Sequence, residues 1–105
     1  MKVMVKATYN AEGAKGLLKE GGTARRAFVT KLIEGMGGKV EAFYFAYGDA
    51  DAIVIADFPD ATSGLAVTLA VNASGPVRLS TVPLITAEEI DEAVKKSVAS
   101  RAPGA

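Results

Sequence analysis

The chain has 105 residues, half of them hydrophobic, and its twelve basic side chains balance twelve acidic ones. This length suits one domain with one core, and a neutral chain has no general attraction for nucleic acid or anionic lipid. The sequence contains neither cysteine nor histidine, which excludes disulfides, thiolate and imidazole catalysis and the usual zinc, haem and iron–sulfur ligands.

Those absences leave catalysis to Asp, Glu, Lys, Tyr, Arg or backbone groups, and we expect neither a metal site nor a cofactor. No apolar run has the length of a membrane span, and the first residues alternate in polarity instead of forming the apolar core of a signal peptide. We therefore expect a cytoplasmic protein without a membrane or nucleic-acid partner.

The first third of the chain predicts a strand followed by a helix. Apolar and polar residues alternate over 2–9, which is typical of a strand with one apolar face. Residues 10–16 contain two glycines and predict a loop, with one helical turn around Leu17 and Leu18. A helix is predicted over 24–36 because its apolar residues recur as one stripe, which comprises Phe28, Val29, Leu32, Ile33 and Met36.

The middle of the chain predicts a hairpin and then a second helix. Two apolar strands, 39–47 and 52–58, are joined by a tight turn at 49–50. Asp60 can cap a helix over 61–73, with a buried stripe expected at Leu65, Ala66, Leu69, Ala70 and Ala73.

The last third predicts a strand over 77–84, which Pro83 places at a sheet edge. Thr86 and Glu89 have the spacing of a capping box, and this predicts the start of a helix over 87–99. The order of strands and helices is then βαββαβ with a C-terminal helix. This is the ferredoxin-like α+β arrangement, with a four-stranded antiparallel sheet. Residues 1–99 form a single domain in this interpretation, and 100–105 form a frayed tail.

Both faces of the predicted hairpin are apolar. A tight turn places on one face Phe43, Phe45, Tyr47, Ala52, Val54, Ala56 and Phe58, and on the other Val40, Ala42, Tyr44, Ala46, Ile53, Ile55 and Asp57. Monomers rarely leave such a patch in water. We therefore expect a homodimer, or a higher oligomer, whose sheets pack face to face in a dimeric α/β barrel. The alternative is that the C-terminal helix covers the second face.

Five segments carry a resemblance to a known family: Lys6–Tyr9, Glu12–Leu17, Met36–Val40, Phe43–Asp51 and Val77–Glu89. The chain resembles the GYD domain family of small bacterial proteins, named for a Gly-Tyr-Asp signature. In that signature a glycine is followed by a variable residue, a tyrosine and an aspartate. Gly48 and Asp51 match its ends, and Ala50 stands at the tyrosine position, so a role for that hydroxyl would pass to Tyr47 or Tyr44. The resemblance implies a dimeric α/β barrel, a group that includes cofactor-free monooxygenases and isomerases, but no established function.

Three tyrosines and two aspartates are candidate site residues. Asp49 and Asp51 could act together as acid and base or bind a cation, or they could serve only to form the turn. Tyr9, Tyr44 and Tyr47 could present hydroxyls to a ligand, or they could simply pack.

Two basic residues, Lys6 and Arg78, fall on the sheet face away from the helices. They could hold an anionic ligand inside the barrel, or form salt bridges between strands or subunits.

Three functions remain open at this point. The first is cofactor-free binding of a small organic molecule in a pocket between sheet and helices, lined by Tyr9, Tyr47 and Asp51. The second is an enzyme of the monooxygenase or isomerase type, in which Asp51 removes a proton and a tyrosine holds the enolate. The third is a structural or interaction module without a ligand.

Overall fold

The computed structural model describes residues 1–105 and contains four strands and four helices. In chain order these are β1 (Lys2–Tyr9), α1 (Ala11–Glu20), α2 (Gly22–Gly35), β2 (Lys39–Phe45), β3 (Ala52–Asp57), α3 (Ala61–Ser74), β4 (Val77–Pro83) and α4 (Ala87–Val94). The strands form one antiparallel sheet in the order β2-β3-β1-β4. The ferredoxin-like α+β fold is confirmed, and β4 is an edge strand as Pro83 predicts.

Helices α2 and α3 cover one face of the sheet, which we call the covered face. The core between them comprises Val3, Ile33, Val54, Ala56, Phe58 and Val67. Three residues of the predicted α2 stripe contribute to it, since Val29 and Leu32 pack around buried Ile33. The other two, Phe28 and Met36, are exposed.

The predicted buried stripe of α3 is wrong. Leu65 and Leu69 are more than half exposed, whereas Gly64 and Val67 face the core. A Cβ atom at position 64 would lie 3.2 Å from the Phe58 ring, so the glycine allows α3 to approach the sheet closely. Because α3 is apolar on most of its circumference, its hydrophobic pattern does not reveal the face that packs.

The loop predicted over 10–16 is also wrong, because these residues begin α1. Asn10 caps the helix, its Oδ1 atom accepting the N–H of Gly13 at 3.0 Å. A Cβ atom on Gly13 would lie 2.4 Å from the carbonyl oxygen of Pro76. The glycine therefore provides close packing between α1 and the chain before β4, and does not break the helix.

The hairpin has a longer loop than predicted. Phe45 pairs with Ala52 and Phe43 with Val54, so the loop spans 46–51 and the expected pairing shifts by two residues. The loop is closed by Asp51, whose carbonyl oxygen accepts the N–H of Ala46 at 2.8 Å. A shift of two residues leaves β2 and β3 side chains on their predicted faces, apart from the residues before a bulge.

That bulge lies between Val40 and Ala42. The extra residue, Glu41, reverses the alternation, because two residues of β2 there oppose one of β3. Val40 was expected on the second face; it instead packs against the core. The predicted membership of the second face is wrong at Val40 for that reason, and Ala46, also predicted there, lies in the hairpin loop.

The C-terminal helix extends away from the sheet. The capping box of Thr86 and Glu89 is confirmed, but α4 ends at Val94 and not at residue 99. The radius of gyration is 17.1 Å, against about 13 Å for a compact chain of this length. No hydrogen bond or ion pair joins α4 to another element, so α4 does not cover the second face of its own sheet. None of the four helices has the length and apolar character of a membrane span.

Candidate functional site

The space between the sheet and the helices is nearly filled. Its cavity has a volume of about 40 Å³ and mostly apolar walls, which is room for a few water molecules and not for an organic molecule. Two hydroxyls inside it, on Thr68 and Thr81, hydrogen-bond to each other at 3.0 Å. The ligand pocket expected between sheet and helices is therefore absent from this layer.

A larger groove opens at the end of the sheet, between α1 and the hairpin loop. It has a volume of about 370 Å³ and is lined by Tyr9, Ala14, Leu17, Leu18, Phe45, Ala46 and Asp51. We call it the Tyr9–Asp51 groove. Its walls are apolar, and Asp51 is its one charged residue.

Asp51 connects the hairpin loop to the end of β1. Its Oδ2 atom accepts the backbone N–H of Tyr9 at 2.7 Å, and its own N–H donates to the carbonyl oxygen of Ala7 at 2.8 Å. The carboxylate therefore fixes the loop conformation through one oxygen. The other oxygen, Oδ1, forms no hydrogen bond within the chain, and it remains available to a ligand.

The three candidate tyrosines do not meet in one site. Tyr9 is half-buried and lines the Tyr9–Asp51 groove. Tyr47 is fully exposed on the hairpin loop and does not line the groove, so its predicted place there is wrong. Tyr44 points to the opposite side of the sheet and is 73% exposed. Because the loop is six residues long, position 47 falls outside the strand that would have carried it to the site.

The two candidate aspartates are also separated. Asp49 is exposed and lines a hollow of about 370 Å³ on the other side of the hairpin, together with Lys6, Ala50, Ile53 and Ser80. We call this the Lys6–Ser80 hollow. An acid–base pair or a cation site made from both carboxylates is therefore not formed. Ala50, at the position of the signature tyrosine, is buried at the base of this hollow.

The face of the sheet away from the helices, which we call the open face, has two differently charged ends. At one end Lys2 Nζ lies 3.0 Å from Glu41 Oε2, and the Met1 amine lies 2.8 Å from Asp57 Oδ1. Hydrogen bonding and attraction to Glu41 raise the pKa of Lys2, and the hydrogen bond from the amine lowers the pKa of Asp57. Two ion pairs therefore form at this end, and Lys39, opposite Asp57, is a further cation there.

At the other end of the open face the charges are unpaired. Lys6 lies opposite Ser80, and Thr8 lies opposite Arg78, on the neighbouring strands β1 and β4. All four are exposed, and neither cation forms an ion pair. The salt bridges expected for Lys6 and Arg78 are not formed within the chain. We call these four residues the Lys6–Arg78 corner.

Comparison with known proteins identifies the family. The model for the GYD domain matches residues 4–94, and the chain belongs to that family. Neither the curated proteins nor the solved structures include a match. The predicted resemblance is confirmed, and the matched region runs from β1 to the last residue of α4.

Sequence reasoning missed the apolar wall of the Tyr9–Asp51 groove. Leu17, Leu18 and Phe45 form that wall, and two of them were assigned only to a short helical turn. The sequence signal nearest to this wall is the adjacent pair of leucines, of which Leu17 is half-buried and Leu18 is exposed.

Proposed function

We propose that this protein is a cofactor-free homodimer that binds a small, mainly apolar organic molecule in the Tyr9–Asp51 groove. The observation that carries the proposal is the lining of the groove. Other surface hollows of the chain have similar volumes, about 300–380 Å³, but six of the seven residues that line this one are hydrophobic. Apolar walls with few polar groups are typical of small-molecule pockets.

The polar groups of the groove restrict the chemistry of the ligand. A carboxylate accepts hydrogen bonds and cannot donate them, so Asp51 Oδ1 favours a ligand that carries a hydroxyl or an amino group. The Tyr9 hydroxyl, which forms no hydrogen bond within the chain, can either donate or accept. Aromatic and aliphatic alcohols or amines therefore fit better than carboxylic acids, which Asp51 repels.

Thermal melting with a panel of small alcohols, amines and acids tests the binding. We expect alcohols or amines to raise the melting temperature, because a ligand that binds only the folded state stabilises it. Ala14→Phe fills the groove and should abolish the shift. Asp51→Asn should reduce it, whereas Asp49→Asn, in the same loop but outside the groove, should retain it. A panel without any shift, or a shift that Ala14→Phe leaves intact, would contradict the proposal.

Support for the homodimer comes from the open face. It carries six apolar side chains, namely Met4, Ala42, Tyr44, Ile53, Ile55 and Val82, with no helix over them. Pairing two open faces about a two-fold axis removes both patches from water and makes the dimeric α/β barrel. Light scattering behind a sizing column should give the mass of a dimer, and a monomer at micromolar concentration would contradict this part of the proposal.

A second candidate function is proton transfer, because Asp51 and Tyr9 line one groove and Oδ1 is free. Asp51 would take a proton from a carbon next to a carbonyl group, and the Tyr9 hydroxyl would donate a hydrogen bond to the resulting enolate oxygen. Exchange of that proton for deuterium, followed by NMR on small ketones, measures the step. Asp51→Asn should stop the exchange and Asp49→Asn should not; equal exchange in both variants would exclude this role.

A further inference from the structure

Helix α4 is an amphipathic helix without a partner. It has eight residues and a complete capping box, but helices shorter than about 12–15 residues are marginal in water unless they pack on something. Its apolar stripe, Ile90, Ala93 and Val94, faces solvent, with Ile90 53% and Val94 76% exposed. The family match includes α4 up to its last residue, so α4 is part of the GYD domain. Its stripe therefore needs a surface that its own domain does not supply.

The charges of α4 and of the open face have opposite signs. Four of the five residues 88–92 are acidic, and Asp91 directly flanks the apolar stripe, one residue after Ile90. The Lys6–Arg78 corner has two cations without an ion pair, and Asp49 is the one acidic residue that lines the hollow beside Lys6. Opposite potentials of this kind guide two surfaces together and fix their orientation.

The Lys6–Ser80 hollow can accept an apolar side chain. It lies beside the Lys6–Arg78 corner, and Ala50 and Ile53 are among its apolar lining residues. The stripe of α4 would place Ile90 over this hollow while Asp91 meets Lys6 or Arg78. Apolar contact and ion pairing would therefore occur on the same small surface.

The structure does not place α4 on its own sheet. Ile90 and Val94 are exposed, and no hydrogen bond or ion pair joins α4 to a strand. The stripe of α4 and the open face are therefore both uncovered in one chain, and a second copy supplies a partner for each.

We propose that α4 of each copy packs on the open face of its partner, with its apolar stripe at the Lys6–Ser80 hollow and Asp91 against the Lys6–Arg78 corner. The inference rests on the homodimer of the proposed function and adds an exchanged helix to it. Pairing of the sheets covers the six apolar side chains of each open face. The exchanged α4 covers the Lys6–Arg78 corner at one end of that face.

Cysteine cross-linking tests the exchange directly, because the natural chain has no cysteine. Unlabelled Asp91→Cys protein is refolded together with ¹⁵N-labelled Ser80→Cys protein and oxidised, and cross-linked peptides are identified by mass. We expect a peptide that joins position 91 of one copy to position 80 of the other. Glu92→Cys is the matched control. It lies on the side of α4 away from the apolar stripe and should give little of this product.

Charge reversal gives a second measurement that does not depend on disulfide geometry. Lys6→Glu and Asp91→Lys should each raise the dimer dissociation constant about five-fold, the scale of one exposed ion pair. The double variant should recover much of the loss, and Lys31→Glu, on the exposed side of α2, should change nothing. Additive losses in the double variant would overturn the proposal.

The outcomes separate this inference from the homodimer. A dimer by light scattering without the 91–80 cross-link overturns the exchanged helix and leaves the pairing of sheets standing. A doubly substituted Asp91→Cys/Ser80→Cys chain that cross-links only within itself shows α4 folded on its own sheet, which also overturns the exchange. A monomer overturns both.

Discussion

The two faces of the sheet carry similar apolar side chains and differ in what covers them. Phe43 and Tyr44 are neighbours on β2. Phe43 packs beside the core and meets Phe45 edge to face at 5.2 Å, whereas Tyr44 is 73% exposed. A strand that served one buried face would alternate apolar and polar residues. The open face is therefore more apolar than the fold of one chain requires, and this excess is what assembly would use.

The largest difference between the faces is expected in the stability of the single chain. Phe58→Ala removes a ring that is 3% exposed in the core and should lower the free energy of unfolding by about 3–5 kcal/mol. Tyr44→Ala, on the open face, should change it by about 0.5 kcal/mol or less. Urea unfolding at a protein concentration low enough to dissociate a dimer measures the free energy of unfolding of both variants. Equal losses of free energy would mean that the two faces do not differ in packing.

Assembly should show the reverse preference. Ile55→Glu puts a carboxylate into the centre of the open face, next to its copy in a face-to-face dimer. Like charges at an interface cost several kcal/mol, so the dimer dissociation constant should rise about 100-fold or more. Light scattering across a dilution series measures it. Thr23→Glu, at an exposed position of α2, is the control and should leave the dissociation constant unchanged. A dimer unaffected by Ile55→Glu would show that the open face is not the interface.

The aspartates on the two sides of the hairpin should differ by a smaller amount. Asp51→Ala leaves the Tyr9 N–H without its 2.7 Å acceptor and should cost about 1–2 kcal/mol of unfolding free energy. Asp49→Ala, which breaks no hydrogen bond, should cost about 0.5 kcal/mol or less. Chemical denaturation of the two variants tests this, and a similar cost for both would remove the positioning role of Asp51.

The smallest effect concerns Asp60, the cap of α3 on the covered side. Hydrogen bonds from Ser63, and a further one from Thr62, lower the pKa of Asp60. Because the pKa of Asp60 is lower in the folded chain, its carboxylate stabilises the folded state at pH values above the unfolded pKa of about 3.9. This stabilisation is lost as the pH falls through the pKa of the folded chain. Asp60→Asn should therefore melt below the wild type at neutral pH and converge with it as the pH falls below the folded pKa of Asp60. A difference in melting temperature between the two proteins that stays the same at every pH would contradict this.

Local signals predicted the starts of α3 and α4. The caps at Asp60 and Thr86 depend on residues three positions apart, and both form as expected. The sequence analysis does not predict α1, because it interprets Gly13 as a break. Gly13 instead allows the helix to pack closely against the carbonyl group of Pro76, more than sixty residues away. That contact exists only in the folded chain, so no local pattern contains it.

The candidate site was predicted in part for a similar reason. Asp51 and Tyr9 are brought together by the pairing of β1 with β3, which the order of elements suffices to predict. The exclusion of Tyr47 depends on the hairpin loop having six residues instead of two. That length is set by the bonds of Asp51 to Ala46 within the loop and to Ala7 and Tyr9 on β1, and the bonds to β1 join parts of the chain about forty residues apart.

The bulge at Glu41 has a consequence for how far assembly can proceed. It lies in β2, one edge of the sheet, and the other edge, β4, ends in Pro83. A bulge twists an edge strand out of register, and proline has no N–H to offer a further strand. Both edges thus discourage the addition of strands from other molecules, which is the route to fibres. Apolar association is left to the open face, and in the proposed homodimer two such faces would cover each other, so that growth would end at two copies.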